Sequence, residues 1–279
     1  MNDITTKDKT IVVSNIPLMK CIDGFQKWEW VNDKQKEFLL EYARKRHLLS
    51  DFSDEELFGL TAYSAAEVNA FLAEHGFDIV LQDHSHVLAN EPPGSIVIYI
   101  ASILKLVFEW DGIEITIKDK YQGTYLSKNL SFFVSSKHDQ PIVQIKSGGD
   151  DIYITKAEPS LLSELDDLPL HVCDVFDRVE FPSIEYDKVI DVSWMVDMNS
   201  PHDMVRVLEA VQQDKFSMNH KGVKIESAAA VAILASGCAT PFFKPVVLTI
   251  DEPFVFWARR NGETYFKAYF AQDSWVKIA

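Results

Sequence analysis

The sequence predicts an α+β fold in a single domain, dominated by a large mixed sheet and carrying few helices. Three observations predict it. The chain closes on two aromatic-rich segments joined by Asn261-Gly262, residues 112–154 alternate apolar and polar positions between turn signals, and the first third holds only two short helical patterns.

Taken in order, residues 33–47 read as an amphipathic helix with Phe38, Leu39, Tyr42 and Ala43 on one face. A second helix is expected from Ser64, where Ser64-Ala65-Ala66-Glu67 has the pattern of a capping box, to a stop near Gly76. Residues 94–108 are apolar on all sides, which suits a buried helix or a central strand equally. Strands then follow one another from 112 to 154. One more helix is expected within 199–215, with Pro201 near its start and Met204, Val205, Leu208 and Val211 on one side. At the end, 254–258 and 264–270 read as a hairpin, because Asn261-Gly262 supplies the two positive-φ residues of a type I′ turn. No internal repeat, low-complexity tract or linker divides the chain, so 1–279 is expected to be one domain.

With 279 residues, 47% of them hydrophobic and 12% aromatic, the chain can build a large core. Its longest apolar run, 96–108, contains Ser102 and Lys105 and is too short to cross a bilayer. The polar start MNDITTKDK lacks the apolar core of a secretory signal, which predicts a cytoplasmic protein or one already processed. A formal charge of −15 argues against nucleic acid as a partner, since phosphate binding relies on a basic surface. Cys21, Cys173 and Cys238 cannot all pair within one chain and lack the spacing of a zinc site, so reduced thiols are expected.

Catalytic groups are not apparent. Asp83-His84-Ser85-His86 would place two imidazoles on one face of an extended segment, but no third ligand stands at a recognisable spacing, so no metal is expected. His171-Val172-Cys173 offers an imidazole and a thiol that strand geometry alone does not orient toward each other. Asp150-Asp151 and Asp166-Asp167 are consecutive carboxylates, expected at solvated turns and helix ends. With no GxSxG, phosphate loop or HExxH either, the chain is expected not to be an enzyme and to need no cofactor.

The most informative stretch is 224–234, KIESAAAVAIL. As a strand it places Ile225, Ser227, Ala229, Val231 and Ile233 on one face and Glu226, Ala228, Ala230, Ala232 and Leu234 on the other; its small residues would let it slide between packed strands. The Ser-Ala run is also good helix material. Residues 235–241, rich in small residues, Gly and Pro, read as an exposed loop, and 246–250 as a returning strand.

In this setting the chain resembles the serpins. Four landmarks occur in that family's order: GDDIYITKAEPSLLSELDDL at 149–168, a strand ending near Pro and running into a Leu- and Glu-rich helix; VEFPSIEYD at 179–187; IESAAAVAI; and DEPFVFWARRNGETYF. The resemblance covers the chain from about Pro141 onward. It implies a serpin-like fold with a sheet core in 141–279, a reactive loop at about 224–245, and a divergent, abbreviated helical and strand region in 1–140.

The resemblance implies inhibition without catalysis. A target serine or cysteine protease attacks the loop as substrate and forms an acyl-enzyme; the cleaved loop then inserts as a new strand before deacylation. The hinge falls on Ile225, Glu226, Ser227, Ala228, Ala229 and Ala230. Counting forward from the hinge puts the scissile bond at Cys238-Ala239, and counting back from Pro253 puts it nearer Phe242. Where inhibitory serpins carry Glu, Gly and Thr before the Ala run, this chain has Gly222, Lys224 and Ile225, and Gln212 or Asp214 stands in place of a buried His. A monomeric protease inhibitor is the first expectation, and a non-inhibitory binding or scaffold protein of the same fold the second.

Overall fold

The computed structural model describes residues 8–91, 95–225 and 246–278. Three helices lie in the first third: α1 (Ile16–Ile22), α2 (Asp33–Lys45) and α3 (Ala65–Glu74). The strands are β1 (Ile11–Val13), β2 (Leu57–Ala62), β3 (Tyr99–Leu104), β4 (Leu106–Glu109), β5 (Ile113–Ile117), β6 (Tyr121–Leu126), β7 (Leu130–Ser135), β8 (His138–Ser147), β9 (Asp150–Lys156) and β10 (His171–Val172). They continue with β11 (Arg178–Pro182), β12 (Ile184–Ile190), β13 (Asn199–Ser200), β14 (Val205–Arg206), β15 (Gln212–Asn219), β16 (Gly222–Ile225), β17 (Val247–Thr249), β18 (Phe254–Arg260) and β19 (Glu263–Phe270). The chain divides into two compact units.

One unit comprises Met1–Val13, Val107–Tyr186 and Phe216–Ala279. Its largest sheet has seven strands in the order β1-β19-β18-β9-β8-β7-β10, each antiparallel to its neighbours. β18 lies well inside this sheet and is covered on both faces, so its aromatic residues alternate between two cores. Phe254 and Phe256 join Phe216, Phe266 and Phe270 on one side. Val255 and Trp257 join Tyr153, Leu161, Leu162, Leu165 and Tyr269 on the other, with the Trp257 and Tyr153 rings stacked at 5.0 Å. Each such side chain contributes about 1.5–3 kcal/mol by leaving water. The predicted turn is present: Asn261 and Gly262 have φ of 53° and 86°, the positive pair that a type I′ turn requires.

A four-stranded sheet, β17-β11-β6-β5, completes the region of predicted strands, with β17 parallel to β11 and the other pairs antiparallel. The helix expected after Pro159 is replaced by two 3-10 segments, Pro159–Ser163 and Leu165–Asp167. Their Leu161, Leu162 and Leu165 face the β18 core together, Arg259 donates to the Leu165 carbonyl at 2.6 Å beside the longer bond from Leu168 N, and Lys267 donates to the Leu162 carbonyl at 3.0 Å. Side-chain donors thus satisfy carbonyls that a regular helix would satisfy internally.

The other unit comprises Ser14–Leu106 and Asp187–Lys215. α2 starts as its sequence prescribes: Asn32 Oδ1 accepts from Gln35 N at 2.9 Å, and Gln35 Oε1 accepts in return from Val31 N at 2.7 Å. Phe38, Leu39 and Tyr42 are buried as expected, but Ala43 is exposed and Lys45 takes the inner position, its stem covered and its ammonium 3.4 Å from Glu41 Oε1. α3 begins after Ser64 without a side-chain capping bond and ends before Gly76, whose φ is +81°. It packs Val68 and Leu72 against Tyr99, Ala101 and Ile103 of the antiparallel β2–β3 pair. Of residues 94–108, the described ones, from 95 on, supply strands β3 and the start of β4 and no helix.

The helix expected within 199–215 is absent. Ser200 and Asp203 close a turn, Asp203 accepting from Gln26 N at 2.5 Å, and β13 and β14 form a short antiparallel pair across it. Met204, expected on an apolar helix face, sits at that turn with φ of 54° and 91% exposure. No helix among the described residues is long and apolar enough to cross a membrane.

Candidate functional site

The expected hinge begins inside a sheet. A four-stranded sheet has the order β12-β15-β16-β4, so β16, the strand leading directly into the Ala-rich run, lies between β15 and β4. β15 and β16 are antiparallel, with Ser217 opposite Lys224, Met218 opposite Val223 and Asn219 opposite Gly222. Alternation puts Val223 and Ile225 on one face, and both are buried.

The turn between these strands is pinned from two directions. Asn219 Oδ1 accepts from Lys221 N at 2.9 Å, a side-chain turn of the kind Asn forms readily. Trp110 follows β4 directly and reads the same turn: its indole Nε1 donates to Asn219 O at 2.9 Å and its backbone N to Lys221 O at 3.2 Å. Gly112 N donates to His220 O at 3.0 Å, and the Trp110 ring packs edge-on against Phe181 at 5.7 Å. Beyond the turn, Gly222 approaches β4 so closely that an added Cβ would stand 2.0 Å from Phe108 O. Only glycine fits there.

Of the expected hinge residues, Ile225 ends β16 and is buried. Glu226, Ser227, Ala228, Ala229 and Ala230 lie outside the described residues, as do the scissile candidates Cys238 and Ala239 and the alternative Phe242. Gln212, one of two residues expected in place of a buried His, is itself buried and donates from Nε2 to Ser14 O at 3.0 Å.

The other candidates resolve into structural roles. His84 Nε2 lies 2.9 Å from Glu209 Oε2, which also accepts from Gln82 N, and among the described residues no group of three or more His, Cys, Asp or Glu is placed to hold a metal. His171 is exposed on the edge strand β10, and Cys173 N donates to Phe132 O at 2.8 Å. Cys21 and Cys173 are unbridged, and burial pushes the Cys21 thiol up to about 12, far from the reactive thiolate. Asp166 and Asp167 are exposed as expected. Asp150 is not: its side chain is 5% exposed and receives two bonds from Arg260, Nε at 2.9 Å and a terminal nitrogen at 2.7 Å. Sequence spacing gave no sign of that pair, whose members stand 110 positions apart.

A large antiparallel sheet, a smaller mixed one, few helices among the described residues and a strand with an obligatory glycine just ahead of a long Ala-rich segment are the features of a serpin-like fold, and the comparison with solved structures bears this out. Serpin48, a highly specific serpin in the insect Tenebrio molitor, superposes with a TM-score of 0.54 at 17% identity over 95% of this chain and 92% of its own. SRPN18 from Anopheles gambiae superposes with a TM-score of 0.51 at 12% identity over 96% of this chain and 93% of its own. No family model and no curated protein matches the sequence. The likeness spans the first half of the chain as well, which sequence resemblance did not reach.

Proposed function

We propose that this chain is a serpin-like protease inhibitor that acts as a suicide substrate. A serine or cysteine protease attacks a bond in the loop after β16, at Cys238-Ala239, and forms an ester or thioester through its own nucleophile while the new amine end leaves. The cleaved loop then inserts as a new strand into the sheet that holds β16, exchanging exposed backbone for sheet hydrogen bonds, and the acyl-enzyme is distorted before water can release it. The chain itself contributes no catalytic group, and the inhibitor acts as a monomer in the cytoplasm.

The observation that supports this reading is the position of β16 between β15 and β4, because an inserting loop needs its first residues aligned in that slot. A second reading, a non-inhibitory binding or scaffold protein of the same fold, is favoured by the burial of two β-branched side chains, Val223 and Ile225, at the hinge, which suits a strand that stays where it is. Incubation with a panel of serine and cysteine proteases separates the two. A covalent complex that survives denaturing electrophoresis supports inhibition; clipping of the loop with no such complex supports the second reading. Melting before and after loop cleavage adds an independent check, since insertion raises the midpoint and a static loop leaves it unchanged.

A further inference from the structure

Strand β15 carries a carboxyl group that the proposed mechanism does not use. Asp214 Oδ1 accepts from Gln212 Nε2 at 2.8 Å, whereas Oδ2 is sealed from solvent and has no hydrogen-bond partner among the described residues. Gln212 Nε2 gives its other hydrogen to Ser14 O, at the entry to α1, so one amide joins the carboxylate to backbone beyond the strand. Asp214 is half-buried, and an ionised carboxylate with one oxygen sealed from solvent and unpaired opposes the packing of the strand that holds it; a neutral carboxyl opposes it far less.

The charges nearby are engaged elsewhere. On the opposite side of β15, Gln213 Nε2 and Lys215 Nζ meet Asp187 at 2.6 and 2.7 Å. At the entry to α1 stand Ser14 and Asn15, neither of them charged, and Asn15 donates to Glu41, the carboxylate that also meets Lys45. Ahead of the strand, Glu209 is held by His84 and Gln82 N. Among the described residues none of these cations pairs with Asp214. Burial accordingly raises its carboxyl from the ordinary 3.8 to about 6, against the smaller opposing pull of the Gln212 bond.

We propose that Asp214 is a pH-sensitive latch on β15, the strand that borders the hinge: ionised at neutral pH it loosens the strand, and protonated in mild acid it seats it. The inference rests on the inhibitor reading only for its consequence, that a looser β15 admits the inserting loop more readily. Because the folded-state value lies above the unfolded one, the stabilisation is complete below pH 3.8 and is lost as the pH rises through about 6. Linkage then favours the folded state by about tenfold at pH 5 over pH 7.5.

Equilibrium denaturation of the full chain, wild type beside Asp214→Asn, tests this from pH 5 to pH 7.5. The wild type is expected to gain about tenfold in its folding constant toward pH 5 relative to the variant, and the variant to be the more stable of the two at pH 7.5. Superimposable pH profiles would overturn the latch. A titration of the Asp214 carboxyl carbon by NMR in the folded wild type stands independently of whether the variant folds: a midpoint near the raised value supports the latch, and one in the ordinary carboxylate range overturns it. Protease trapping is scored separately on the wild type, since failure to trap at any pH sinks the inhibitor reading and leaves these two measurements intact.

Discussion

The carbonyl oxygen of Phe108 occupies the place where a side chain at residue 222 would begin, since a Cβ on Gly222 would stand 2.0 Å from it. Backbone cannot yield as a flexible side chain does, and Gly222 also has a φ of +152°, which side-chain-bearing residues rarely adopt. Gly222→Ala therefore forces β16 away from β4. A loss of about 1–3 kcal/mol in denaturant unfolding is expected, together with faster amide exchange at Val223 and Ile225. Unchanged stability and exchange would show that β16 is not seated as described.

Phe216 is the point where β15 enters the aromatic core, its ring centroid 4.5 Å from that of Phe270 and 5.1 Å from that of Phe256. Phe216→Ala leaves a void among rings held by β18 and β19 of the seven-stranded sheet, which cannot collapse without moving them. A loss of about 3–5 kcal/mol is expected, read as a lower denaturant midpoint with the slope retained. Phe216→Leu keeps most of the volume and is expected to cost well under half as much.

How far the sequence could be read depends on the range of the interactions that decide each element. Asn261-Gly262 fixes its turn by local backbone preference, so the hairpin and its aromatic faces were legible. The segment 199–215 has helical spacing, yet its conformation is set by Gln26 N reaching Asp203, a contact 177 positions long that no window of sequence contains. The same holds for Asp150, whose neighbour Asp151 suggests a solvated turn while distant Arg260 makes it a buried ion pair. Of the site, the returning strand expected at 246–250 was legible and is present as β17, β15 was not foreseen, and the departure at Gly222 was visible as a residue without its reason. That reason is Phe108 O, which belongs to a strand more than a hundred positions earlier.

The Asp150–Arg260 pair carries its own prediction. The side chains are 5% and 13% exposed and joined by two hydrogen bonds, so removing the carboxylate takes two charge-assisted bonds from a guanidinium in a low-dielectric setting at the end of β18. Asp150→Ala is expected to destabilise by about 3–5 kcal/mol in chemical denaturation. Replacing both partners, Asp150→Asn with Arg260→Gln, is expected to recover part of that loss, because the buried guanidinium goes together with the carboxylate that faced it. A double variant as unstable as the sum of the two single ones would show that the pair does not act as a unit.

Trp110 gives the most direct access to the hinge. Its indole N–H holds Asn219 O at 2.9 Å while the ring rests on Phe181, so Trp110→Phe removes the bond and keeps much of the packing. The carbonyl it frees lies at a partly exposed turn where water can replace the donor, which limits the cost to about 0.5–1.5 kcal/mol. The larger effect is expected in the hinge itself: amide exchange at Lys221, Gly222 and Val223 rises more than that of the β18–β19 hairpin, which the substitution does not touch. If the loop inserts on cleavage, the same variant changes the rate of insertion, read as the ratio of trapped to clipped protein, by more than it changes the melting midpoint. Equal effects on the hinge and on the distant hairpin would mean that Trp110 supports the fold as a whole and does not single out the strand that leads into the loop.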